Sequence, residues 1–264
     1  MSVQAISRFT TRQIQNNKQL LAMRTSFLFL LMLTGASAAT AQTDRSEAYV
    51  STDDMPNGVR YLPVPADTAS AAFFNDWRQY HWGKSLRHTP RGQQAVTDAK
   101  TDAKTVLEGF SPAFGIELSK ENTPEVFELI DRTISSCSNA TSKAKNHYMR
   151  RRPFVVMNEP TTTPDAEPYL RVSGSYPSGH TALGWATALI LVELNPDRQD
   201  TILARGYEYG QSRVIVGAHW QSDIEAGRSV GSAAYARLHA DSRFLEQLRK
   251  AKKEVDRKLG KQKK

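Results

Sequence analysis

The chain has 264 residues, of which 39% are hydrophobic and 23% charged, with a formal net charge of +8. That length and composition suit one large or two small globular domains able to bury a core. The lone Cys137 excludes an intramolecular disulfide and a cysteine-based zinc site.

The charge sits at the ends. Residues 1–41 carry +4 and residues 249–264 carry +7, whereas residues 42–248 carry −3. The body of the protein is therefore slightly acidic, and the basic tail reads as a solvated, frayed helix end, with no nucleic-acid partner expected.

Met23-Arg24 precedes seven consecutive large apolar residues, 27–33, and then Gly35 to Gln42, with small-residue cleavage positions at Ala38 and Ala41. This is the layout of a secretory signal peptide behind a polar extension, and its apolar run is far short of the roughly 20 residues a span requires. Export to the periplasm is the expectation, with residues 42–264 as a single domain. Residues 43–65, with Pro56, Asn57-Gly58, Pro63 and Pro65, read as an extended arm with few core residues.

Helical spacing begins at about Ala69 and runs to Trp82, and Pro90 restarts the chain into a more polar helix over 92–110. Thr123-Pro124-Glu125 is a helix start, followed by an apolar stripe (Val126, Ile130, Ile134, Cys137, Ala144) that should end near Arg152-Pro153. Prolines 160, 164 and 168 make 158–176 a loop. Helices are expected over 178–194, stopped by Asn195-Pro196, over 200–216, broken by Gly217, and over 222–238, with a last amphipathic piece around Phe244 and Leu248. No stretch alternates convincingly as a strand would. The fold reads as all-α, packed around the apolar 182–194 segment.

Three blocks could carry chemistry. Lys145 and Arg152 are seven residues apart, nearly two helical turns, so both would face one way at the end of a single helix. Pro177-Ser178-Gly179-His180 opens the most apolar helix. Ser178 there is a good N-cap, and free first-turn amides attract anions, although plain capping explains the same residues. Ser212-Arg213 is followed by His219 and Asp223. If 220–223 is helical, the carboxylate lies one turn from the imidazole and can fix one ring nitrogen as a free lone pair, although a surface ion pair fits that spacing too. A metal is not expected, because no third ligand has a plausible spacing and the cations would repel it. Together the blocks offer three cations, two histidines, one carboxylate and a helix start, the parts phosphoryl transfer needs.

In this order the blocks resemble the signature of the type 2 phosphatidic acid phosphatase and vanadium haloperoxidase superfamily. His147 to Arg150, Gly184 to Ala188 and His219 to Asp223 are similar to class A bacterial non-specific acid phosphatases. The resemblance implies an all-α, metal-independent, cofactor-free periplasmic enzyme, usually a homo-oligomer, acting on many phosphomonoesters and releasing inorganic phosphate. By position it implies that His219 attacks phosphorus, Asp223 orients it and His180 protonates the leaving oxygen. Lys145, Arg152, Arg213, Ser178 and the Gly179 amide would hold the phosphoryl oxygens. A vanadate-dependent haloperoxidase or a phosphotransferase could use the same site. Many relatives carry cysteines in the loop before Pro177 and just before the nucleophile; this chain has neither, so loop 158–176 has no disulfide anchor.

Overall fold

A computed structural model describes residues 47–260. The expected signal peptide, residues 27–33 and its cleavage positions, lies outside the described residues.

Among the described residues ten α-helices follow one another: α1 (Phe73–Ser85), α2 (Pro90–Thr97), α3 (Ala103–Phe114), α4 (Pro124–Tyr148), α5 (Pro153–Val156), α6 (Glu167–Val172), α7 (Gly179–Leu194), α8 (Gln199–Ile215), α9 (Gln221–Leu238) and α10 (Ser242–Lys258). Short 3₁₀ turns occur at Gly58–Arg60, Pro164–Ala166 and Pro196–Arg198, and no strand forms among the described residues. The all-α expectation holds.

Helix α7 is apolar around most of its circumference, with Glu193 exposed near its end, so it needs burial on most sides. Its neighbours α8, α9 and α4 supply it. Close packing depends on missing side chains: a Cβ on Gly184 of α7 would lie 2.2 Å from the Tyr209 ring of α8. α4 in turn carries α10, whose inner face buries Phe244, Leu248, Ala251 and Val255.

Several expectations are corrected. The helix over 92–110 is two helices. Asp98 leaves the first to meet Arg205 of α8 at 2.5 and 3.1 Å and the Ser212 hydroxyl at 2.6 Å, and Asp102 caps the second by accepting from the Thr105 amide at 2.9 Å. A buried guanidinium and hydroxyl on α8 therefore outweigh the continuing helical pattern.

α4 stops at Tyr148, because Met149 adopts a left-handed φ of 42°. Arg152 is consequently extended and outside α4, so Lys145 and Arg152 do not share one helix face. Thr123 does not cap α4 with its side chain; its hydroxyl goes to the Ser119 carbonyl at 3.1 Å. Instead the Glu254 carboxylate of α10 accepts from the Glu125 and Val126 amides, both at 3.1 Å. The basic tail is thus no frayed end through Lys258: its cations line the outer face of a packed helix.

The arm before α1 also contributes core, burying Tyr49, Val50, Met55 and Leu62. Segment 158–176 contains α6 and is held by hydrogen bonds: Thr162 donates to the Val216 carbonyl at 3.2 Å, Ser175 to the Arg150 carbonyl at 2.9 Å, and Leu170 is buried.

Candidate active site

The end of α8 creates the site's floor. Gly217 takes a φ of +85°, a conformation open mainly to glycine, and the amides of Ala218 and His219 fold back onto the Arg213 carbonyl at 3.1 and 3.2 Å. This turn presents His219 just ahead of α9. Asp223, in the first turn of α9, reaches back to accept the Trp220 amide at 2.9 Å.

The tautomer of His219 follows from its neighbours. Nδ1 lies 3.4 Å from Asp223 Oδ2 and 3.3 Å from Ser175 Oγ. The Ser175 hydroxyl proton is already given to Asp223 Oδ2 at 2.5 Å, so both neighbours can only accept from the ring. Nδ1 therefore carries the hydrogen. On the other side Arg152 Nη1, a donor, lies 2.9 Å from Nε2, which must accept. Both observations leave Nε2 as a lone pair. The ring is 1% exposed, and burial, with Arg152, Lys145 and Arg213 nearby, holds its pKa well below the usual histidine range.

Lys145 and Arg152 converge although they sit on different elements. Lys145 Nζ donates to the Gly174 carbonyl at 2.9 Å, and Arg152 Nη2 donates to the same carbonyl at 3.2 Å. Arg152 also donates to the carbonyls of Leu170 at 2.8 Å and Ala218 at 3.0 Å. Burial and the Arg152 charge push the Lys145 pKa down to about 7, and burial alone brings Arg152 to about 10. Arg213 lies close enough to contribute to the depression of Lys145 and His219. It is 1% exposed, burial and then the Arg152 charge lower its pKa to about 10, and its Nε and Nη1 are buried without a hydrogen-bond partner.

The start of α7 supplies the opposite wall. Ser178 accepts from the Thr181 amide at 3.3 Å and the Thr181 hydroxyl at 2.9 Å, so capping uses its lone pairs and leaves its own proton to donate. The Gly179 and His180 amides have no carbonyl of their own helix to bond. His180 Nε2 lies 2.9 Å from the Ala99 carbonyl, the acceptor exposed by the break between α2 and α3. A carbonyl only accepts, so Nε2 is protonated and Nδ1 is the nitrogen free for chemistry. Burial, then Arg213, lowers the His180 pKa well below the histidine norm.

Lys145, Arg152, Gly179, His180 and His219 line one cavity of about 240 Å³, edged by Tyr169 and Leu183. A larger hollow of about 370 Å³ beside Pro63, Asp76 and Glu225 contains none of these cations. Of the residues singled out in the sequence, Ser178, Arg213 and Asp223 are not part of this lining, and Ser212 lies apart, bound to Asp98.

Three participants escaped sequence reasoning: Ser175, Arg150 and Asp76. Ser175 adjoined a motif but had no signal of its own. Arg150 was one of three consecutive arginines, and nothing in the run said which is buried. Asp76 lies 147 positions before Asp223 in the chain and had no signal at all.

A helical body holding a buried histidine–carboxylate pair, with Lys145 and Arg152 lining one small cavity and Arg213 buried close by, suits a phosphoryl-transfer protein. Residues 133–244 match the PAP2 superfamily. The chain is 46% identical to the non-specific acid phosphatase of Providencia stuartii over 78% of its own length and 84% of that protein's. It is 39% identical to that of Salmonella typhimurium over 89% and 94%, respectively. An acid phosphatase of Zymomonas mobilis is 34% identical over 84% of each chain. The chain belongs to the non-specific acid phosphatase family of the PAP2 superfamily.

Proposed function

We propose that this protein is a periplasmic, metal-independent acid phosphatase that hydrolyses a broad range of phosphate monoesters through a phosphohistidine on His219. The observation that carries the reading is the His219 Nε2 lone pair, set 2.9 Å from Arg152 in a cavity shared with Lys145 and His180.

In the first step Nε2 attacks phosphorus and the bond to the ester oxygen breaks. The His180 Nδ1 proton goes to that oxygen, releasing the alcohol. In the second, water attacks the phosphohistidine, gives its proton to His180 Nδ1, and releases inorganic phosphate. Lys145, Arg152, Arg213, Ser178 and the Gly179 amide are the donors for the three equatorial oxygens. When phosphate takes the Arg152 bond, Nε2 is freed to attack. The Asp223 carboxylate stabilises the cationic ring that results. Metal independence fits a cavity lined by cations, which would repel the ion and already do its charge-neutralising work.

The acid preference follows from the signs. His219 must be neutral, and its lowered pKa keeps it so in acid. His180 must start protonated, and its lowered pKa confines that form to acid, so activity falls as pH rises within the acid range, before neutrality is reached. Export rests on the layout of residues 23–41, and homo-oligomeric assembly on the sequence resemblance.

The decisive experiment is hydrolysis of a chromogenic phosphomonoester by residues 42–264 across pH 4–9, with and without EDTA, alongside His219→Ala. The reading expects unchanged rates in EDTA, and an acid-labile phosphoenzyme in the wild type that the variant lacks. Radiolabelled phosphate trapped equally by His219→Ala would place the nucleophile elsewhere.

A further inference from the structure

Two buried groups stand behind Asp223 and take no part in the steps above. The Arg150 side chain, 8% exposed, forks between carboxylates: Nη1 donates to Asp223 Oδ1 at 2.6 Å and Nη2 to Asp76 Oδ2 at 2.8 Å. Asp76 arrives from α1 and also takes the Ser222 amide at 2.7 Å and the Ser222 hydroxyl at 2.6 Å. Ser222 Oγ in turn accepts from Arg150 Nη1 at 2.8 Å, which closes a ring of hydrogen bonds.

The charge count is the informative part. One guanidinium faces two carboxylates, so the buried triad carries a net charge of −1. Fold stability alone does not call for this, since a buried ion cluster of this kind is commonly no more stabilising than apolar packing. The triad's uncompensated charge points toward His219. Around that ring stand Arg152, Lys145, Arg213 and His180 on the cavity side, with Asp223 and the neutral Ser175 behind it.

We propose that Arg150 and Asp76 are positioning residues for the nucleophile. Arg150 pins Asp223 Oδ1 so that Oδ2 faces the ring, and Asp76 offsets the Arg150 charge so that Asp223 presents an undiminished negative charge to Nδ1–H. The inference rests on His219 being the nucleophile. Phosphorylation at Nε2 leaves the ring cationic, and the triad's net charge stabilises that ring. Without Asp76, Arg150 would cancel the Asp223 charge at close range. Burial works against the charged form of Arg150, but Asp223 and Asp76 outweigh it and raise its pKa, so the guanidinium keeps its proton.

The test compares Asp76→Asn, Arg150→Met and the double variant. The readouts are kcat, KM, the acid limb of kcat/KM, and phosphate trapped on His219. Asp76→Asn should lower kcat about ten- to hundredfold, in the range seen when outer partners of a site are lost, and leave KM within about twofold. It removes a negative charge, so His219 stays neutral to lower pH and the acid limb moves down, by roughly half a unit or more. Arg150→Met removes a positive charge and should move the limb up. The double variant should return the limb toward the wild-type position. A merely structural role predicts no such opposition. Wild-type kcat and acid limb in Asp76→Asn, or shifts of the same sign in both single variants, would overturn the inference. If Arg150→Met does not fold, the isosteric Asp76→Asn decides alone. Trapping distinguishes the two failures. Phosphate on wild-type His219 with an unaffected Asp76→Asn defeats only the positioning role, whereas phosphate on another residue defeats the nucleophile assignment and the positioning role with it.

Discussion

The two sides of the cavity are built on opposite principles. Behind His219 every polar group is paired: Asp223 accepts from Arg150, Ser175, the Trp220 amide and the imidazole. On the side of Arg213 and the α7 start, donors outnumber acceptors, and two guanidinium nitrogens are buried with no partner. A buried donor left unpaired costs about 1–3 kcal/mol. The saturated side fixes the orientation of a ring in advance. The unsaturated side gives up stability to keep donors unpaired, as the proposed phosphoryl binding requires.

The largest way to break this contrast is on the unsaturated side. His180→Ala removes the proposed acid. It should cost about a thousandfold on alkyl phosphates, within the general-acid range, and much less on nitrophenyl phosphate, whose leaving group needs no proton. Equal losses on both substrates in parallel assays would reject the assignment. Arg213→Met should lower kcat/KM about a hundredfold, as expected for losing one transition-state donor, without lowering the melting temperature, because the side chain it removes is an unpaired buried cation. A calorimetric loss of stability as large as that of Asp223→Asn would erase the distinction between the sides.

A smaller effect comes from Lys145. Burial and the Arg152 charge lower its pKa to about 7, so its charge is present below that pH and lost above it. Inhibition by inorganic phosphate should therefore weaken as pH rises through neutrality, measured as the inhibition constant from pH 5 to 9, and Lys145→Gln should flatten that dependence. The smallest test lies outside the site. Glu254→Ala removes the cap of α4 and should cost about 1 kcal/mol in urea unfolding with kcat unchanged.

The legible part of the site was the part written in short local spacing. His219 and Asp223 are four residues apart across a helix start, and Ser178 and His180 open an apolar helix, so one turn of geometry suffices to relate them. Lys145 and Arg152 do meet, but not by sharing a helix face. A left-handed Met149 ends the helix between them, and it is the Gly174 carbonyl that brings their heads together. The split between α2 and α3 was illegible because its cause, the Arg205–Asp98 pair, spans 107 residues. That split also supplies the Ala99 carbonyl that selects the His180 tautomer.

The sequence by itself determined the helical class, the apolar segment at the centre, and the candidate side chains for the proposed chemistry. Periodicity and local capping act over a few residues, so they can be read in one dimension. Only the tertiary structure decided which nitrogen of each histidine is left unprotonated by its partners, that Glu254 rather than Thr123 caps α4, and that Asp76 and Arg150 back Asp223. Those outcomes depend on which buried donor meets which acceptor, and burial arises only when distant segments pack. The stretch from Gly174 to Thr181 shows both: its cap was readable in the chain, but the acceptor that orients its histidine comes from another helix pair.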